Sequence, residues 1–126
     1  MIHLDSNLLI ALADASDPHR ADAMRLMGSL PLAAASSLAW WEFECGPVSR
    51  EGLAIVRIMM TGGIIAFDDL HASEAARLYY AVGRARRFKF DSLIAATAIL
   101  TGAELATANP DDFRPFTPHG LKLHQW

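Results

Sequence analysis

The chain has 126 residues, 52% of them hydrophobic and 20% charged, with 11 Lys and Arg against 14 Asp and Glu for a net charge of -3. That length suits one domain over residues 1–126, and the composition excludes a disordered or fibrous chain. The acidic balance argues against a protein that packages nucleic acid, although local contact with nucleic acid stays open.

The elements are predicted in chain order. An apolar strand over residues 2–4 runs into Asp5, and a helix follows over about 7–12. Asp17-Pro18 supplies a cap and a first-turn proline for a helix that Gly28 stops. Residues 32–35 read as a second strand, and Ser37 caps a helix through Trp40, Trp41 and Phe43 that Gly46-Pro47 closes. From Ser49 a helix carries Leu53, Val56 and Met60 on one face and ends at Gly62-Gly63. Residues 64–67 form a third strand before Asp68-Asp69. A longer helix over about 72–86 sets Ala75, Leu78, Tyr79 and Val82 at helical spacing. A nearly all-apolar helix over 90–100 opens with Asp91 and stops at Gly102; residues 104–108 make a fourth strand and 121–124 offer a fifth. Strands alternating with helices predict an α/β sandwich on a mostly parallel sheet of four or five strands. Ligands of such sheets bind beyond the carboxyl ends of the strands, near the switch in strand order.

The single cysteine, Cys45, has no internal disulfide partner and fits a reducing cytosol. Asp5 interrupts the basic, apolar start of a secretory signal. The longest uncharged stretch, residues 26–41, is too short for a membrane span and contains Pro31. A cytoplasmic protein without membrane contact is expected.

The functional signal is where the acids fall. Asp5 ends the first strand, Glu42 lies in an aromatic helix, Asp91 heads an apolar helix, and Asp111 and Asp112 follow Asn109-Pro110 after the fourth strand. If Asp5, Glu42 and Asp91 met about 5 Å apart, each pair would repel by roughly 3 kcal/mol at an effective dielectric of about 20. The total, roughly 10 kcal/mol, rivals the whole stability of a small domain, about 5–15 kcal/mol. Such a cluster has to take up protons or hold a cation, and oxygen donors favour Mg²⁺ or Mn²⁺ over zinc. Singly, each acid has a structural explanation. Asp5 and Asp91 suit helix caps, Glu42 an ion pair with an arginine, and Asp111-Asp112 a turn.

Residues 71–126 carry seven basic residues against five acids, and Arg84, Arg86, Arg87 and Lys89 stand together just before Asp91. They suit phosphate contact and electrostatic steering, or favourable charge at a helix C-terminus. Trp40, Trp41, Tyr79 and Tyr80 offer rings for base stacking, although amphipathic helices more often bury such rings in a core or interface. Leu8, Leu9, Val56, Met59 and Met60 read as apolar surface left for a partner.

Four blocks together resemble a known family. Ile2-His3-Leu4-Asp5-Ser6-Asn7 resembles the opening of PIN-domain ribonucleases, an apolar strand running into Asp-Thr-Asn. Ser37-Leu38-Ala39-Trp40-Trp41-Glu42-Phe43 is similar to their Ser-led helix with an acid before Phe or Leu. Asp91-Ser92-Leu93-Ile94-Ala95-Ala96 is similar to their third block, and Thr107-Ala108-Asn109-Pro110-Asp111-Asp112-Phe113 to their last, Thr-x-Asn-x-x-Asp-Phe. The blocks come in the family's order and cover the chain from end to end. Short members are mostly VapC-type toxins of bacterial toxin–antitoxin pairs.

The resemblance implies a PIN fold, a Mg²⁺ or Mn²⁺ site and RNA as substrate. It also implies a homodimer and a cognate antitoxin that packs a helix into a groove near the site. Asp5, Glu42 and Asp91 correspond to the acidic core that binds metal and cuts RNA. Many members carry the fourth acid directly after the Thr-x pair, where this chain has Asn109. The fourth role is therefore given to Asp112, with Asp111 and Asn109 as alternatives. Ser6, which keeps the hydroxyl of the commoner Thr, Asn7 and Asn109 are supporting residues, and Arg84, Arg86, Arg87 and Lys89 are candidates to hold RNA. Two other readings compete: a PIN-fold binding module without catalysis, and an aspartyl-phosphate phosphatase or receiver built on Asp5, Asp68-Asp69 and Lys122.

Overall fold

The computed structural model describes all 126 residues. Four strands, β1 (Ile2–Leu4), β2 (Ala33–Ser36), β3 (Gly63–Ile65) and β4 (Glu104–Ala106), form one parallel sheet in the order β3-β2-β1-β4. β1 and β2 are buried along their whole length, as strands covered on both faces must be, and apart from His3 their residues are accordingly apolar or small. The chain builds outward from β1 through β2 to β3, then returns to lay β4 on the other flank of β1. The direction of winding therefore switches between β1 and β4, and a crevice is expected at their carboxyl ends.

Seven α-helices join the strands: α1 (Ser6–Ala13), α2 (Arg20–Ser29), α3 (Ser37–Cys45), α4 (Arg50–Met59), α5 (Asp69–Ala81), α6 (Lys89–Leu100) and α7 (Pro110–Phe113). α1 packs against α2, α3 and α4, while α5 packs against α6. Surrounded in this way, α1 buries both Leu8 and Leu9, and Val56 and Met60 are buried as well. These residues, expected on a partner surface, belong to the core, with Met59 packed against it. The apolar side chains left outside are others, among them Trp41, Ile55, Ile58, Leu70 and Tyr80. The rings of Trp41 and Tyr80 are thus exposed, while Trp40 is buried in the core. No helix is long and apolar enough to cross a membrane.

Several boundaries move from their predicted places for identifiable reasons. Ser36, rather than Ser37, caps α3 by accepting the Ala39 N–H at 3.0 Å. The Asp17 carboxylate accepts the His19 N–H at 2.8 Å, so Asp17-Pro18 form a turn ahead of α2 rather than its first turn. Asp68 and His71 make a capping box that starts α5 early, and Gly83 (φ 81°) and Arg84 (φ 58°) end it early. β4 stops at Ala106 because the Thr107 hydroxyl accepts the Asn109 N–H at 3.0 Å and turns the chain. The fifth strand reduces to one parallel bridge between Leu105 and Leu123, held by Leu105 N–H to the Lys122 carbonyl at 2.9 Å and His124 N–H to the Leu105 carbonyl at 2.8 Å.

Candidate active site

Asp5 leaves β1 at its carboxyl end and caps α1, and its side chain is gripped from both flanks of the switch point. Oδ1 accepts the Ser6 N–H at 2.8 Å, while Oδ2 accepts the Thr107 hydroxyl at 2.8 Å and the Asn7 amide at 3.1 Å. Asn7 Oδ1 accepts the Ala108 N–H at 3.1 Å, so Asn7 ties the segment after β1 to the segment after β4. Ser6 contributes its backbone N–H, and Asn109 its N–H to Thr107 Oγ1. Thr107 has the most direct hold on Asp5 from across the sheet. No site role follows for it from the sequence alone; its signals are its place at the head of the fourth block and a hydroxyl directly after the strand that flanks the one carrying Asp5.

Three further acids lie on other elements, within electrostatic range of Asp5 or of one another. Glu42 lies half-buried on α3, Asp91 half-buried in the first turn of α6, and Asp112 exposed on α7. Asp91 does not cap its helix as expected, because α6 begins two residues earlier at Lys89. The expected arginine partner of Glu42 also fails to form. Arg57 instead approaches Glu44 at 3.9 Å, and the Trp40 indole N–H donates to the same Glu44 carboxylate.

Electrostatics ties the four acids together. Burial pushes the Asp5 carboxyl up to about 6 against the hydrogen bonds from Thr107 and Ser6, and the charges of Glu42 and Asp112 add to the rise. Asp91 is pushed up to about 7, chiefly by burial and then by Asp5, Asp112 and Glu42. Among the candidates for the fourth position, Asp112 is therefore the acid that acts on both. Asp111 turns away, with a side chain 85% exposed and ion-paired to Arg114.

The donor set is all oxygen and strongly self-repelling, which suits a hard divalent cation. No three His, Cys, Asp or Glu side chains come close enough to hold one ion directly between them. Mg²⁺ keeps several of its waters, so carboxylates that do not converge can share one hydrated ion.

Arg84, Arg86 and Arg87 are exposed in the segment between α5 and α6, and Lys89, also exposed, opens α6 just ahead of Asp91. None is ion-paired. The guanidinium of Arg84 lies 5.2 Å from the Tyr80 ring centre and that of Arg87 4.6 Å from the Phe88 ring centre. The residues of the phosphoacceptor reading are scattered. Asp68 caps α5, and the groups that raise Asp5 are acids, with no lysine among those acting on it.

The PIN domain family model matches residues 2–116. The chain belongs to the PIN domain family. Among solved structures it is similar to a toxin–antitoxin complex from Klebsiella pneumoniae, at 26% identity over 90% of each chain with a TM-score of 0.71. FitAcB from Neisseria gonorrhoeae matches 99% of this chain and 97% of its own at 20% identity and a TM-score of 0.76. The sarcin-ricin loop cleaving toxin VapC20 of Mycobacterium tuberculosis matches 85% of this chain and 87% of its own at 18% identity and a TM-score of 0.67. No curated protein matches the sequence. The PIN-domain resemblance read from the sequence blocks thus stands, and with it the α/β architecture.

Proposed function

We propose that this PIN domain is a divalent-metal-dependent ribonuclease and the toxin of a toxin–antitoxin pair. The observation that carries the proposal is the electrostatic coupling of Asp91 to Asp5, Asp112 and Glu42, which adds to burial in pushing Asp91 up to about 7. Acids that destabilise one another this way are costly without a ligand, and perturbed groups of this kind cluster at functional sites. Membership of the PIN family and the likeness to toxin structures support the same reading.

In this proposal Asp5, Glu42, Asp91 and Asp112 hold one or two Mg²⁺ or Mn²⁺ ions, partly through water. Bound there, such an ion polarises a phosphoryl oxygen, lowers the pKa of a water and stabilises the leaving oxygen. The protein's own part is orientation. Ser6 N–H, Asn7 and Thr107 fix both oxygens of Asp5, and Asn7 holds the β4 exit against the β1 exit. Arg84, Arg86, Arg87 and Lys89 offset the negative centre and attract the RNA backbone. An antitoxin segment of amphipathic character is expected on the apolar groove of about 260 Å³ lined by Ile10, Ala13, Phe43 and Val48. A homodimer belongs to the same reading, with exposed Trp41, Leu70 and Tyr80 as candidate contacts.

The deciding experiment is cleavage of total RNA by the purified chain with Mg²⁺, with Mn²⁺ and with chelator, alongside Asp5→Ala and Asp91→Asn. Discrete fragments that disappear with chelator and in both variants are expected. The loss in rate should be about a thousandfold or more, equivalent to about 4 kcal/mol of transition-state stabilisation. Cleavage equal in the variants, or none by the parent chain, would move the assignment to a binding module without catalysis.

A further inference from the structure

Beside the acidic centre lies a second, differently charged feature. A cleft of about 710 Å³ opens between α2 and residues 107–126, within the range of roughly 300–1,000 Å³ typical of ligand pockets. Thr107 and Ala108 form part of its wall, so it runs directly into the hydrogen bonds that hold Asp5. Its charged lining differs from that of the acidic centre: Arg25 and Arg114 stand against the single acid Asp22. Trp126 adds an aromatic ring to the same lining and is 43% exposed.

Cations beside an accessible aromatic ring form the combination that binds single-stranded nucleic acid, the cations taking phosphates and the ring stacking on a base. Arg25 and Arg114 are paired with Asp22 and Asp111, but these pairs lie on the surface, with the arginine side chains 71% and 61% exposed. Exposed pairs are weak, and a phosphate offers a guanidinium the same bidentate geometry as a carboxylate.

We propose that this cleft seats a stretch of single-stranded RNA adjoining the scissile bond, with Trp126 stacked on a base and Arg25 and Arg114 on the backbone. The proposal rests on the ribonuclease reading above. It gives the strand a path distinct from the Arg84–Lys89 segment, so that RNA is held by basic residues of two separate elements.

The test uses the full chain carrying Asp91→Asn, in Mg²⁺, with a fluorescently labelled single-stranded RNA of mixed sequence. Trp126→Ala should weaken binding about tenfold, and Trp126→Phe should stay within about threefold of the parent, since a benzene ring still stacks. Arg25→Ala with Arg114→Ala should lower the slope of affinity against salt by about 1.4, two phosphates at about 0.7 each. All three positions are exposed, so the melting temperature serves as a control and should not move. Unchanged RNA affinity and salt slope in every variant would overturn the proposal and leave the cleft to another ligand, such as a protein segment. Total-RNA cleavage by the native chain, measured in parallel, separates the failures. Cleavage with indifferent cleft variants removes only the cleft, whereas neither cleavage nor binding removes the ribonuclease reading and the cleft with it.

Discussion

His3 and Asp5 stand two residues apart, one inside β1 and one at its exit, and both are buried. Burial acts on them in opposite directions. It pushes the His3 imidazole down to about 4, helped by the positive N-terminus and His71, and pushes the Asp5 carboxyl up to about 6. Both shifts favour the neutral form, as desolvation must. The difference lies in the surroundings. The Thr101 hydroxyl donates to the Thr97 carbonyl at 2.8 Å, so at 3.1 Å it can only accept from His3 Nε2–H. That leaves His3 Nδ1 as a bare, buried acceptor without a partner. His3 is neutral and stays so. Asp5 receives three hydrogen bonds that favour its charge, and other acids oppose that charge. Mid-strand, the protein has removed a charge; at the strand exit it has gathered charges that only a cation or protons can balance.

The largest expected effect breaks that balance at Asp91, which is raised to about 7 and has no hydrogen bond to offset the repulsion. Its folded pKa lies above the unfolded value, so its contribution to stability is fully present below about pH 4 and lost as pH rises through about 7. Asp5 acts with the same sign through about 6. In chelator the chain should therefore lose stability as pH rises from about 4 to about 7, and Mg²⁺ should restore more at pH 8 than at pH 6. Asp91→Asn should remove part of that loss, stabilising the metal-free chain at pH 8 by about 1 kcal/mol after solvent screening of a half-exposed group. The same variant should lose cleavage almost entirely. A thermal melt series across pH, with and without Mg²⁺, reads both effects. Asp91→Asn melting below the parent at pH 8 would mean that the charge stabilises the fold and is not held against repulsion.

Much of this was legible in the residues. The alternation of strands and helices gave the parallel sheet, and the order of the four acidic blocks located the elements that carry the site. What sequence could not supply was partnership across the switch point. Asn7 is read as a neighbour of Asp5, but its bond to Ala108 N–H spans about a hundred positions. Thr107 opens the fourth block, but its hydrogen bond to Asp5 spans 102 positions and is not visible in sequence. The apolar residues of α1 were misassigned to the surface because a helix packed by three others buries more than one stripe. Asp111 and Asp112 are indistinguishable by type; the block's spacing favours Asp112, and the structure shows an ion-paired surface acid at Asp111 and one that acts on Asp5 and Asp91 at Asp112.

A smaller effect is expected at Thr107. Thr107→Val keeps the shape but removes the hydroxyl that donates to Asp5 Oδ2 and accepts from the Asn109 N–H and the Asn7 amide. The carboxyl of Asp5 should then rise further, since the largest group holding it down is gone. Stability should fall by about 1–2 kcal/mol, the cost of three altered hydrogen bonds at a buried position. Cleavage should fall about tenfold at neutral pH, in line with the loss of an outer residue that orients a metal ligand. A positioning role predicts that Thr107→Ser recovers most of the rate and that the pH profile of Thr107→Val moves to higher pH. Equal rates and profiles in both variants would reduce Thr107 to a turn residue.

The smallest effect belongs to His3 and tests the other half of the contrast. The folded pKa of His3 lies below its unfolded value of about 6.5, so its contribution to stability is present above that pH and lost as pH falls through about 4. This is the opposite sign to Asp5, and over the shared window the two offset each other. His3→Leu strands no polar group, because Thr101 still donates to the Thr97 carbonyl. At pH 7.5 its stability should therefore lie within about 1 kcal/mol of the parent, since the variant loses one hydrogen bond and one unsatisfied acceptor together. Below pH 6.5 the two curves should part, with His3→Leu gaining on the parent as acid charges the parent's unfolded state at His3. Curves that stay parallel would mean that His3 is already charged in the fold. RNA cleavage should be indifferent to the change, because nothing in the hydrogen bonding of His3 reaches the carboxyl end of β1; a drop in rate with stability intact would join mid-strand and exit into one functional unit.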